Sequence, residues 1–124
     1  MISIFKLKLF HKWARKEGLK NKALKVTIEE MEKGLLGNEL GGFVYKKRVS
    51  IHGRGKSSGA RTLIAFKSDD KAFFIYGFAK NQRDNINDNE LKALKRLASE
   101  LFKYKYNENE IDQAIKAKEI IEVI

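Results

Sequence analysis

Two apolar runs joined by a short polar link decide the fold: residues 61–78 read RTLIAFKSDDKAFFIYGF. The runs Arg61–Phe66 and Ala72–Phe78 are rich in β-branched and aromatic residues, which favour strands. The link Lys67–Lys71 has the length and polarity of a hairpin connection. We therefore predict two antiparallel neighbouring strands. Because a hairpin turns the chain back, the start of the first strand and the end of the second must lie at the same edge of the sheet.

A strongly basic segment precedes this hairpin. Residues 46–61 read KKRVSIHGRGKSSGAR and contain six Lys or Arg residues and no acidic residue. Glycine lets the backbone approach a ligand closely, Arg matches phosphate bidentately, and Lys supplies a point charge. Since the hairpin returns the chain to the same edge, we expect this segment to meet Lys80 and Asn81. The pattern indicates an anion-binding site.

The residues before the basic segment predict a strand and two helices. Ile2–Lys6 suits a short strand, and the apolar spacing that follows predicts a helix that ends near Glu17, with Gly18 as its stop. A second helix is expected from about Lys20 to Leu35, with Asn21 as its N-cap. Residues 43–51 then alternate as a strand does, with four apolar side chains on one face and a cation, Lys47, among them.

The residues after the hairpin predict two helices and an apolar end. Asp88 is expected to cap a third helix that runs to about Lys103. Asn107 and Glu110 have the spacing of a capping box for a fourth. Residues 119–124 are apolar enough to dock as a strand or to recruit a partner. We interpret 1–124 as one domain, in which 104–124 is an extension.

Composition narrows the class of partner. With 43% apolar and 34% charged residues among 124, the chain is typical of a globular domain with a charged surface. A net charge of +10 attracts nucleic acid or a strongly acidic protein. The chain has no cysteine, as a reducing cytoplasm permits, and shows no signal peptide or membrane span. We expect a cytoplasmic protein that does not contact a membrane.

The residue types favour phosphate chemistry without a metal or a cofactor. His11 and His52 are far apart, and no acidic pair lies near the basic segment, so a metal-dependent hydrolase is disfavoured. Side chains alone can cut RNA if a base deprotonates the 2′-hydroxyl, cations stabilise the phosphorane, and an acid protonates the leaving oxygen. On composition alone, a basic nucleic-acid-binding module without catalysis is the competing interpretation. The candidate cations are Lys47, Arg48, Arg54, Lys56, Arg61 and Lys80.

A longer pattern carries a family resemblance. It comprises the Gly-Lys-rich loop and strand start at residues 53–66, the aromatic strand ending in Lys80-Asn81, and the helix that contains Leu91 and Leu94. In this order the chain resembles the RelE superfamily of bacterial toxins, and most closely the HigB-like branch. The resemblance runs from about Phe43 to Leu101, and the two preceding helices also fit. It implies an α+β, RelE-like fold: an N-terminal helical hairpin packed on a twisted antiparallel sheet of about four strands, followed by one or more C-terminal helices.

The resemblance also implies a function. Such toxins cleave messenger RNA without a metal, many of them in the ribosomal A site, and are neutralised by an antitoxin encoded beside them, often of the helix-turn-helix type. Applied to this chain, the resemblance implies that Arg61 contacts the scissile phosphate. It also implies that Arg54 and Lys56 are the loop cations and that Lys80 is a catalytic residue at the end of a strand. The residues expected to bind RNA are Lys47, Arg48, His52, Asn81 and Tyr76.

The chain departs from some relatives at the end of the last strand. Where those relatives have a catalytic Tyr or His, this sequence has Phe78-Ala79-Lys80-Asn81. The general base therefore stays open among Lys56, Lys47 and His52. The related ParE branch keeps the fold and inhibits DNA gyrase, which makes a toxin that is not a nuclease the main alternative.

Overall fold

The computed structural model describes residues 2–51, 55–67, 71–103 and 108–124, with the backbone alone for 55–58. Two helices follow the first strand and two more precede the last, in an α+β arrangement. Their order is β1 Ser3–Leu7, α1 Lys8–Glu17, α2 Asn21–Glu32, β2 Asn38–Glu39, β3 Val44–Ile51, β4 Gly55–Phe66, β5 Lys71–Ala79, α3 Asp88–Leu101, α4 Glu108–Lys116 and β6 Ile120–Glu122. No helix within these ranges is long and apolar enough to cross a bilayer.

The strands form one mixed sheet in the order β2-β3-β4-β5-β1-β6. The predicted hairpin is confirmed, since β4 pairs antiparallel with β5. The expected antiparallel sheet of about four strands is wrong in detail, because the sheet has six strands and β1 runs parallel to β5. Phe5 stacks on Phe73 in this parallel pair, with ring centroids 5.4 Å apart. Residues so distant in sequence leave no local pattern that could predict their pairing.

Helices cover both faces of the sheet. Phe10, Leu24 and Ile28 of α1 and α2 share one core cluster with Ile64 and Phe74 of the sheet. The second cluster joins α3 and α4 to the opposite face, through residues that include Ala98, Leu101, Ile111, Leu63 and Phe73. The expected N-terminal helical hairpin needs correction, because α1 packs mainly on β5 and α2 mainly on β3. The sheet buries the apolar stripe of each helix separately.

The helix ends follow the sequence signals in part. Gly18 adopts a left-handed conformation with φ 76° and ends α1, as predicted. The prediction for Asn21 is wrong, because Lys20 is the N-cap of α2 and makes no side-chain capping bond. The Asn21 Oδ1 instead accepts a hydrogen bond of 2.8 Å from the buried Lys6 Nζ. The helix also ends at Glu32, ahead of the predicted Leu35.

The start of α3 is fixed one residue before the predicted cap. Asn87 is the N-cap: its Oδ1 accepts from the Glu90 N–H at 2.8 Å, and Glu90 Oε1 accepts from the Asn87 N–H at 2.9 Å. These two bonds form a capping box, in which Asp88 occupies the first helical position. The predicted cap at Asn107 lies outside the described residues.

The C-terminal residues complete the sheet. Of the two alternatives for residues 119–124, docking as a strand is confirmed, because β6 pairs antiparallel with β1. The Val123 N–H also donates to the Ile4 carbonyl at 2.8 Å. Residues 120–122 of the segment expected to be an extension therefore belong to the sheet.

Candidate functional site

The register of the strands gathers cations at one end of the sheet. Arg48 of β3 lies opposite Arg61 of β4, and Arg61 lies opposite Phe78 of β5. The Lys80 N–H donates to the Gly59 carbonyl at 3.5 Å. The predicted meeting of the β4 start with the residues after β5 is therefore confirmed.

A polar cavity of about 480 Å³ opens at this end of the sheet. Five of the described residues that line it are cationic and one is acidic, so its walls carry a strong excess of positive charge. Its lining consists of Gly37, Asn38, Lys46, Lys47, Arg48, Arg61, Lys80 and Asp84. We call it the cationic cavity. Clustered Lys and Arg side chains of this kind suit a phosphate ligand.

Arg61 is recessed in the cationic cavity. It lies in the interior of β4, between β3 and β5, and is only 7% exposed. Burial lowers the pKa of its guanidinium, and the neighbouring Arg48 lowers it further. A guanidinium keeps its charge in spite of such shifts. The protein therefore holds two like charges close together, and a bound anion would relieve their repulsion.

Lys47 lines the cavity but directs its ammonium towards α2. Its Nζ lies 3.1 Å from Glu30 Oε1 and donates to the Leu35 carbonyl at 2.9 Å. The side chains of Lys47 and Glu30 are only 11% and 25% exposed. The cation noted on the apolar face of β3 is thus balanced by an acidic residue of α2. Its predicted contact with RNA stays a prediction.

Gly37 allows the chain before β2 to approach the cavity wall. A Cβ at this position would lie 2.5 Å from the Lys46 carbonyl oxygen and 2.9 Å from Lys47 Cδ. The φ of 75° at Gly37 is also one that side chains rarely permit. Glycine is therefore required where this segment packs against β3.

The segment after β5 is fixed by Arg83. Its Nη1 and Nη2 donate to the two carboxylate oxygens of Glu90 at 2.9 and 2.5 Å. Its Nε donates to the Asn85 carbonyl at 2.9 Å, and Nη1 also donates to the Tyr76 hydroxyl at 3.1 Å. Hydrogen bonds from Arg83 and from the Asn87 N–H lower the pKa of Glu90 to about 2. Residues 80–87 are thereby tied to both β5 and α3.

Only some of the predicted site residues come together in the structure. Arg61, Lys80, Lys47 and Arg48 line the cationic cavity. Tyr76 is half-buried, and Asn81 is exposed in the turn after β5. Arg54 and His52 lie outside the described residues, as does the side chain of Lys56, whose backbone belongs to β4.

The sequence patterns did not single out several residues of the cavity wall and its support. Lys46 shares the parity of Arg48 on β3, and this signal could have placed it at the site. Asp84 and Asn38 belong to segments without a periodic pattern. The pair between Arg83 and Glu90 joins a turn to a helix, which no local motif indicates. Among the described residues, no group of three or more His, Cys, Asp or Glu could hold a metal ion.

Comparison with known proteins assigns the family. No curated protein matches the chain at a significant level. One family model, described as the RelE toxin of the RelE / RelB toxin-antitoxin system, matches residues 2–123. The match includes the C-terminal segment that the sequence resemblance did not cover. Because it spans nearly the whole of the chain, this protein belongs to the RelE toxin family of toxin-antitoxin systems.

Proposed function

We propose that this toxin is a metal-independent endoribonuclease that cuts messenger RNA on the ribosome and so inhibits translation. The observation that carries the proposal is the cationic cavity with the recessed Arg61 in its wall. RNA cleavage passes through a phosphorane with extra negative charge, which preorganised cations stabilise. We also propose that the toxin belongs to the HigB-like branch, acts in the cytoplasm and is neutralised by a helix-turn-helix antitoxin.

The arrangement of the cavity supports distinct roles for its cations. Arg61 is held by strands on both sides, so it is suited to contact the scissile phosphate with little loss of entropy on binding. Arg48 and Lys80 are exposed and are suited to bind the neighbouring phosphates of the RNA. Lys56, Arg54, His52 and Asn81 keep their expected roles in catalysis or RNA binding as part of this proposal, and so does Tyr76.

Induced expression of the chain tests the function. The nuclease predicts arrested translation and new messenger RNA ends inside codons. An inhibitor of DNA gyrase would instead produce DNA breaks and altered supercoiling with intact messenger RNA. A basic binding module would give salt-dependent RNA affinity with neither cleavage nor toxicity. Mapping of RNA ends and a supercoiling assay on the same induced culture therefore separate the three outcomes.

A further inference from the structure

The cationic cavity contains a carboxylate to which neither the fold nor the family match assigns a role. Among its described lining residues, Asp84 alone is acidic. An exposed acidic residue in a turn is ordinarily a solvated surface group. Such a residue beside a site for a polyanion opposes binding, however, because like charges repel. Its position therefore needs a reason in the chemistry of the site.

Both neighbours of Asp84 in the chain are anchored. Arg83 binds Glu90 through two hydrogen bonds and also donates to the Asn85 carbonyl. Asn85 Oδ1 accepts from Lys46 Nζ at 3.3 Å and from the Ile86 N–H at 2.9 Å. The bond from Lys46 crosses to β3, the bonds to Glu90 tie the turn to α3, and the other two contacts lie within the turn. The backbone that carries Asp84 is thereby held in the lining of the cavity.

We propose that Asp84 is the general base of the cleavage reaction, an inference that rests on the proposed function. The Asp84 carboxylate accepts the proton of the 2′-hydroxyl, and the 2′-oxygen forms a bond to phosphorus. The bond from phosphorus to the 5′-oxygen breaks, and the departing oxygen takes a proton from water. The proton held by Asp84 then restores that water, so the carboxylate and the solvent end unchanged. The products are a 2′,3′-cyclic phosphate and a 5′-hydroxyl.

The surrounding charges suit this assignment. Arg61 and Arg48 attract the phosphate, which brings the adjacent ribose into the cavity that Asp84 also lines. Because Asp84, Arg48 and Arg61 line the same cavity, one nucleotide can contact both the base and the cations. The family resemblance left the base open among Lys56, Lys47 and His52. Lys47 Nζ already donates hydrogen bonds to Glu30 and to the Leu35 carbonyl, and an ammonium that donates in this way has no lone pair with which to accept a proton.

The test compares Asp84→Asn with the wild type, using the full chain and translating ribosomes loaded with a short messenger RNA. The base role predicts cleavage slower by about 10²- to 10⁴-fold at saturating toxin. Affinity for the same RNA with a 2′-deoxyribose at the cut site should be unchanged or tighter, because a negative charge has been removed. Asp112→Asn, an exposed change on α4, is the matched control and should cleave at the wild-type rate.

A second substrate distinguishes a general base from a general acid at Asp84. A sulfur atom in place of the bridging 5′-oxygen makes a leaving group that needs no proton. Slow cleavage by Asp84→Asn should persist on this substrate, and Asp84→Glu should recover part of the rate. If Asp84→Asn does not fold, Asp84→Ser is tested in its place.

Three results would overturn the assignment. They are cleavage by Asp84→Asn within a few-fold of the wild type, full rescue by the sulfur substrate, and a defect confined to RNA affinity. Absence of cleavage by the wild-type protein would instead overturn the proposed function, and the role of Asp84 with it.

Discussion

Arg48 and Arg61 lie directly opposite each other in the antiparallel ladder between β3 and β4. The pairing brings an exposed guanidinium beside a buried one, and both line the cationic cavity. Like charges directly opposite one another destabilise a sheet. In the proposed function, the phosphate backbone of the RNA offsets this repulsion.

Replacement of Arg48 tests this electrostatic role. Arg48→Gln should weaken binding of an uncleavable RNA and reduce the steepness of its salt dependence by about 0.7 in a plot of log K against log salt, because one fewer counterion is released. Arg96→Gln, an exposed change on α3, is the control. Equal slopes for Arg48→Gln and the wild type would show that Arg48 does not contact phosphate.

The contact between Lys47 and Glu30 is expected to stabilise the fold. Lys47→Met should lower the free energy of unfolding by about 1–2 kcal/mol, because the half-buried Glu30 and the Leu35 carbonyl lose the hydrogen bonds that Lys47 donates. Urea titration measures the change. Lys25→Met, at an exposed position of α2, should have little effect. A loss of RNA affinity without a loss of stability would favour a direct contact between Lys47 and RNA.

Gly77 is expected to be required by the ring of Trp13. A Cβ at this position would lie 2.2 Å from Trp13 Cζ3, so Gly77→Ala should destabilise the protein by about 1–3 kcal/mol. The cost should shrink in a Trp13→Leu background, where a smaller side chain leaves room. Urea titration of the two single variants and the double variant measures this coupling. Simple additivity would contradict the contact.

The pair between Arg83 and Glu90 predicts a pH-dependent stability. The pKa of Glu90 is lowered from 4.5 to about 2, so its contribution is full above pH 4.5 and is lost as the pH falls towards 2. Glu90→Gln keeps a side chain that can cap α3 but loses the charge. The stability difference from the wild type should therefore be largest near pH 7 and shrink in acid, as measured by urea titration at each pH.

Glu100→Gln serves as the control for this series. Glu100 lies on α3 and is exposed. Its replacement should have a small effect across the pH range. A Glu90→Gln difference that stays constant from pH 7 to pH 2 would contradict the role of the pair.

Local patterns predicted most of the elements and part of the site. Alternation marked β3, helical spacing and Gly18 marked α1, and the link Lys67–Lys71 predicted the hairpin. The hairpin in turn placed Arg61 near Lys80. Parity also singled out Lys47 as a cation on an apolar face, although its partner could not be read from the sequence.

The sequence patterns did not predict the contacts between distant segments. The parallel pairing of β1 with β5 joins Phe5 to Phe73 and creates no short-range signal. Asp84 lines the cavity and follows Arg83, which is bound by Glu90, and neither Asp84 nor Arg83 belongs to a periodic run. Such contacts depend on tertiary packing, which propensity and spacing do not encode.

Cleavage by an Arg61 variant tests the central claim most directly. Messenger RNA ends should be mapped after matched induction of the wild type, Arg61→Ala and Arg96→Ala, with folding checked by circular dichroism. We predict cuts inside codons with the wild type and Arg96→Ala, and cleavage by Arg61→Ala reduced by about 10²- to 10³-fold. An undiminished set of cuts with Arg61→Ala would contradict it.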